Sequence, residues 1–89
     1  MRRVLVDNSF KRDLKKLQKR GTPLKRLYAY VVLLQKNESL PPIARPHKLS
    51  GEYDGCWECH IESDWLLIYE IAPSAIILNR TGSHADLFE

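Results

Sequence analysis

Cysteine and methionine are scarce in this 89-residue chain: the cysteines are Cys56 and Cys59, and the one methionine is Met1. Long apolar runs are missing too. The longest, residues 28–34 and 65–69, are each about one core element in length, far from the roughly 18 residues of a membrane span. At the amino terminus, Arg2 and Arg3 precede only three apolar residues before Asp7, too few for the core of a signal peptide. No repeat, low-complexity tract or interdomain linker interrupts the chain. These absences lead to the expectation of a soluble, cytoplasmic protein with one domain over residues 1–89, since so short a chain buries too little surface for two cores.

Acids are the other scarce class, and their scarcity is local. Residues 1–36 hold eleven of the fourteen Lys and Arg but only Asp7 and Asp13 as acids, whereas the rest of the chain has three basic and nine acidic residues. A basic half is the electrostatic footprint of a nucleic-acid binder. The blander reading is that two amphipathic helices have lysine-rich solvent faces.

Apolar spacing supplies the elements. Val4, Leu5 and Val6 suggest a short strand, and Asp7, Asn8 and Ser9 offer capping oxygens to a helix carrying Phe10, Leu14 and Leu17. Gly21 can stop that helix, Thr22 can cap a second, and Pro23 suits its first turn. The second helix then shows Leu24, Leu27, Tyr28, Val31 and Leu34 on one stripe. A connector over residues 37–50, broken by Pro41, Pro42 and Pro46, ends in a Ser50-Gly51 turn. From Glu52 the period becomes two, with Tyr53, Gly55, Trp57, Cys59 and Ile61 on one face and Glu52, Asp54, Cys56, Glu58 and His60 on the other. Residues 65–71 and 75–80 add two more strands of an antiparallel meander. The expected fold is α+β: an N-terminal strand, an antiparallel helical hairpin packed on an antiparallel sheet (β-α-α-β-β-β), and a short C-terminal helical turn or tail.

Cys56-Trp57-Glu58-Cys59-His60 matches the C-x-x-C-H signature of haem attachment. The match is set aside. No export signal is expected from the amino-terminal residues, and the one methionine, Met1, leaves the common second axial ligand missing. On a strand, moreover, residues three apart face opposite ways, so the two thiols cannot share a porphyrin, a zinc ion or a disulfide without a bulge. Cys59 reads as a small core residue and Cys56 as a partly exposed thiol, and no metal or cofactor is expected.

The chemistry-bearing residues gather near the carboxyl end: His60, Asp64 and Trp65, then Arg80 and His84. RNA can be cut by its own 2'-hydroxyl, which requires a proton acceptor, a proton donor to the departing 5'-oxygen, and a cation on the phosphate. Histidine titrates near neutrality, arginine offers a planar fork to phosphate oxygens, and Asp64 can act as a base or hold a histidine in its working tautomer. In an antiparallel meander, the turn carrying His60 and Asp64 lies near the end of the third strand, at Arg80, so the groups can converge at one sheet edge. Trp65 and Phe88 are candidates for base stacking, though residues so placed are more often core and tail-docking residues. His47, in the connector, reads by itself as a surface histidine.

Taken in order, Pro46-His47-Lys48-Leu49-Ser50-Gly51, His60-x-x-x-Asp64-Trp65-Leu66-Leu67-Ile68-Tyr69 and Arg80-Thr81-Gly82-Ser83-His84-x-x-Leu87-Phe88 resemble the RelE/ParE superfamily of toxins, and within it the YafQ-like mRNA interferases. Ser63 departs from the proline that often precedes the aspartate. The resemblance implies ribosome-dependent cleavage of mRNA, neutralisation by a cognate antitoxin, and a catalytic set of His47, His60, Asp64, Arg80 and His84. In it His84 would be the general acid and Asp64 or His60 the base. Arg80 would stabilise the phosphate charge and His47 would assist proton transfer or orient phosphate. Trp65, Phe88 and Lys48 would contact mRNA. The basic helices, through Lys11, Arg12, Lys15, Lys16, Lys19 and Arg20, would hold ribosomal RNA. The rivals are a ParE-like inhibitor of DNA gyrase and a non-catalytic RNA-binding module.

Overall fold

The meander demanded by the period of two forms the middle of a five-stranded sheet in a computed structural model that describes residues 1–88. Its strands are β3 (Trp57–Glu62), β4 (Trp65–Ala72) and β5 (Ala75–Gly82), paired antiparallel in sequence. On one flank β1 (Arg3–Val6) lies parallel to β5, with Val4 opposite Ile76 and Val6 opposite Leu78. The sheet is therefore mixed rather than wholly antiparallel, because the hairpin of helices returns the chain across one face before the meander begins. On the other flank the connector contributes a two-residue strand, β2 (His47–Lys48), antiparallel to β3.

Helix α1 (Asn8–Lys19) starts where expected, but its capping oxygens are engaged elsewhere. Asp7 Oδ2 accepts from Asn79 Nδ2 at 2.8 Å, and Ser9 Oγ donates to the Asn79 carbonyl at 2.8 Å. Both bonds fasten the helix start to β5. The helix stops at Gly21 (φ 76°), with Gly21 N donating to Gln18 O and Thr22 N to Leu17 O, the paired bonds of a Schellman motif. That commitment of Thr22, and the extended bias on a residue before proline, delay the second helix: α2 runs Lys25–Gln35 with Leu24 at its start, not Thr22 or Pro23. Its buried stripe is Leu27, Tyr30, Val31 and Leu34, an i, i+3, i+4, i+7 set, whereas Tyr28 falls on the exposed flank.

One more expectation fails. A 3₁₀ turn at Gly51–Tyr53 and a left-handed Gly55 (φ 87°) keep residues 52–56 out of the sheet, so the alternation begins only at Trp57. The two faces of the sheet then divide the side chains. Cys59, Ile61, Trp65, Leu67, Tyr69, Ile76 and Leu78 join the helices in the main core, while Leu66 and Ile68 face the other way and pack with Leu87, Leu49, Tyr53 and Cys56. Cys56 and Cys59 thus lie on opposite faces, and burial pushes the Cys59 thiol up to about 12. The C-terminal turn is a short helix, α3 (His84–Phe88), whose Leu87 closes the second cluster. No described helix is long and apolar enough to cross a membrane.

Candidate active site

Ser83-His84-Ala85-Asp86 builds the site by capping α3. Ser83 Oγ accepts from Asp86 N at 3.1 Å and Asp86 Oδ2 accepts from Ser83 N at 3.0 Å, a reciprocal box at the helix start. Arg20, at the end of α1, donates to the same Asp86 oxygen at 3.3 Å. The Ser83 amide first, and then the Arg20 guanidinium, hold the Asp86 carboxyl down to about 2. Gly82 allows the approach: its φ is 155°, and a Cβ there would lie 3.0 Å from Asp86.

This fixes the first residue of α3, His84, against the β3–β4 turn. Asp64 Oδ1 accepts from both the His84 amide and His84 Nδ1, each at 3.1 Å. The amide bond, the largest cause, and the ring bond lower the Asp64 pKa, so at neutral pH this carboxylate can only accept. Nδ1 therefore carries the hydrogen, and Nε2 of the half-exposed ring, which meets no hydrogen-bond partner among the described residues, can take or give a proton. His60 projects from the same sheet face, its ring centroid 6.4 Å from that of His84, and the Phe88 ring stands 6.0 Å from His84.

Arg80 joins the group through aromatic contacts. Its NH1 donates to the Tyr53 hydroxyl at 3.4 Å, and Tyr53 meets Phe88 edge-on at 5.8 Å. Arg80 is held from behind by Asp13 in α1, with Nε–Oδ2 at 2.6 Å and NH2–Oδ1 at 3.1 Å. Asp13, foremost, raises the Arg80 pKa further above its already high value. Asp13 Oδ2 also accepts from Thr81 N at 3.1 Å, so one buried carboxylate anchors both the cation and the end of β5.

The remaining candidates separate. His47 is on the same sheet face but on the edge strand, where Nε2 lies 3.3 Å from Glu58 Oε1 and Nδ1 lies 3.1 Å from the Arg45 carbonyl. Only a doubly protonated ring donates to both acceptors. Glu58 is two residues before His60 on β3, roughly 7 Å along the strand, so His47 borders the His60–His84 pair without touching it. Lys48 points to the opposite face, with Nζ 5.7 Å from the Trp57 ring centroid. Trp65 is no stacking platform: it is 6% exposed and its Nε1 donates to Thr81 Oγ1 at 2.9 Å, because the first residue of β4 faces the helices. Phe88 remains 47% exposed beside His84. Lys11, Arg12, Lys15, Lys16, Lys19 and Arg20 are all exposed along α1. Among the described residues no cluster of three or more His, Cys, Asp or Glu is arranged to hold a metal ion.

Three contributors are absent from the sequence-based set. Asp13 sits at an apolar position of the 10, 13, 14, 17 stripe, which is a usable signal. Tyr53 falls on the other face from the one its alternation implies, because its strand begins later than the period of two suggests. Glu58 looks in the sequence like an ordinary solvated strand carboxylate.

Residues 2–89 match the family described as bacterial toxin of type II toxin-antitoxin system, YafQ. The mRNA interferase toxin YafQ of Escherichia coli K12 is 33% identical over 88 residues, 98% of this chain and 96% of that protein. Among solved structures, the E. coli DinJ-YafQ toxin-antitoxin complex aligns with a TM-score of 0.90 and 34% identity, covering 99% of this chain and 98% of that chain. A metal-bound toxin from Helicobacter pylori aligns with a TM-score of 0.92 and 38% identity over 99% and 100% of the two chains.

Proposed function

The chain belongs to the YafQ family of bacterial type II toxins, and from that membership we propose that it is a cytoplasmic mRNA endoribonuclease acting on the translating ribosome and neutralised by a cognate antitoxin. The observation that carries the reading is the Asp64–His84 pair, which engages Nδ1 and leaves Nε2 without a partner among the described residues, beside the ring of His60. Two imidazoles side by side suit the two proton transfers of phosphodiester cleavage, and no metal is needed for either.

In the proposed reaction His60 removes the proton from a 2'-hydroxyl, whose oxygen bonds to the adjacent phosphorus. The bond from phosphorus to the 5'-oxygen breaks, and His84 Nε2 gives that oxygen its proton. The products are a 2',3'-cyclic phosphate and a 5'-hydroxyl. His60 is preferred to Asp64 as base because a carboxylate with a lowered pKa is a weak one and its Oδ1 is already occupied. Arg80, fixed by Asp13, faces the charge that accumulates on phosphorus, and His47 orients phosphate from the sheet edge. Phe88 frames the message, while the exposed cations of α1 hold ribosomal RNA. The antitoxin partner follows the DinJ-YafQ pairing of the relative.

Primer extension on a translated reporter tests this. Induction of the wild type is expected to give new in-frame breaks that His84→Ala does not give, and activity on free RNA is expected to be far lower. A wild-type profile without new breaks would end the nuclease reading and favour a toxin that works by binding alone, and breaks that persist in His84→Ala would remove His84 from the proposed role.

A further inference from the structure

Beside His60 opens a cleft of about 580 Å³ whose other lining residues take no part in the reaction above. It lies between the connector, the start of α2 and the end of β3, and His60 lines it together with Arg26, Pro42, Ile43, Arg45 and Glu62. Its volume falls within the range of small-molecule sites. Ile43 is 79% exposed, an unusual position for a large aliphatic side chain with no covering element. The wall that presents it is stiff. Pro42 opens a 3₁₀ turn, Ala44 is fully buried beneath it, and Arg45 adopts the left-handed conformation (φ 45°) before Pro46. Arg26 is held across the cleft by donating to the Ile61 carbonyl at 3.2 Å.

A cleft lined by Pro42, the exposed Ile43 and two arginines, Arg26 and Arg45, matches a nucleotide, whose base packs on aliphatic and guanidinium surfaces while its phosphate takes the charge. Because His60 belongs to both the cleft and the proposed proton relay, we propose that this cleft binds the nucleotide that supplies the attacking 2'-hydroxyl. Arg26 and Arg45 then embrace its 5'-phosphate and sugar edge, and Ile43 packs on its base. The nucleotide that leaves lies on the far side, toward His84, Phe88 and Tyr53. The inference rests on the nuclease reading for its orientation, but nucleotide binding in the cleft can be measured apart from cleavage.

The experiment is an NMR titration of full-length ¹⁵N-labelled His84→Ala protein with a short oligoribonucleotide at up to millimolar concentration. Amides of Ile43, Arg45 and Ile61 are expected to shift with the same saturation as those around Ala85. Adding Ile43→Asp sets a carboxylate where the RNA lies and is expected to weaken binding by roughly tenfold, with the remaining spectrum retained. Arg45→Asn, which tolerates the left-handed backbone, is expected to weaken it similarly. Shifts confined to α3, unchanged affinity of both variants, or no shift at all would overturn the cleft assignment. Failure of the nuclease reading has a different signature: uncut reporter message with the wild type, whatever the titration returns.

Discussion

Asp64 and His84 form a pair in which the carboxylate dictates where the imidazole hydrogen sits. Asp64→Asn keeps the shape, and because the His84 amide can only donate, the Asn oxygen still accepts from it and from Nδ1–H; what is lost is the negative charge that supports a positive imidazole ring. Single-turnover cleavage is expected to fall by about 10² or more with little change in half-saturation, and a drop in affinity alone would show that the Asp64 charge plays no part in the chemical step. Asp13 acts from behind the site. Removing it strands Arg80 and the Thr81 amide together, so Asp13→Ala is expected to cost about 2–4 kcal/mol in urea unfolding, with Asp13→Asn costing less. Equal stability of wild type and Asp13→Ala would show that the bidentate pairing contributes nothing net.

Helix α3 is only five residues long and depends on its cap and its docking rather than on its own propensity. Ser83→Ala removes half of the reciprocal box and is expected to destabilise it by about 1 kcal/mol, visible as faster amide exchange at Asp86 and Leu87. Gly82→Ala combines a backbone conformation that side chains rarely adopt with a Cβ 3.0 Å from Asp86, so it is expected to displace His84 and abolish cleavage while the sheet persists by circular dichroism. The cap also has a pH signature. The Asp86 carboxyl is depressed in the folded state, so its stabilisation is complete above the ordinary 3.8 and disappears as pH falls through about 2. A carboxyl-detected NMR titration is expected to find the Asp86 midpoint near the lower value; a midpoint at the ordinary one would mean that the box does not hold His84 in place.

Across the whole molecule, charge and chemistry occupy different surfaces joined at one seam. The cations of α1 are exposed, while the acid-rich second half carries the histidines, and Arg20–Asp86 and Arg80–Asp13 bind the two parts together. Substituting Lys11, Arg12, Lys15 and Lys16 by Gln is expected to leave folding intact and to lower both ribosome affinity and its salt dependence, the log–log slope falling by roughly 0.7 to 0.9 for each phosphate that is no longer neutralised. An unchanged salt slope in a sedimentation assay would place ribosome binding on another surface.

Local patterns are enough to read the order of strands and helices, the stop at Gly21, the meander, and the meeting of His60, Asp64 and His84 beside a turn, since each depends on neighbours within a few residues or on one hairpin register. Long-range pairing lies beyond such patterns. Arg80 finds Asp13 across 67 positions, β1 joins β5 in parallel, and β2 forms only because β3 is there to pair with it. Burial is decided the same way: Trp65 and Tyr30 turn inward and Tyr28 outward because the phase of a helix or strand against its neighbours is a property of packing. One-dimensional spacing names which side chains share a face, and only the assembled layers determine which face meets water.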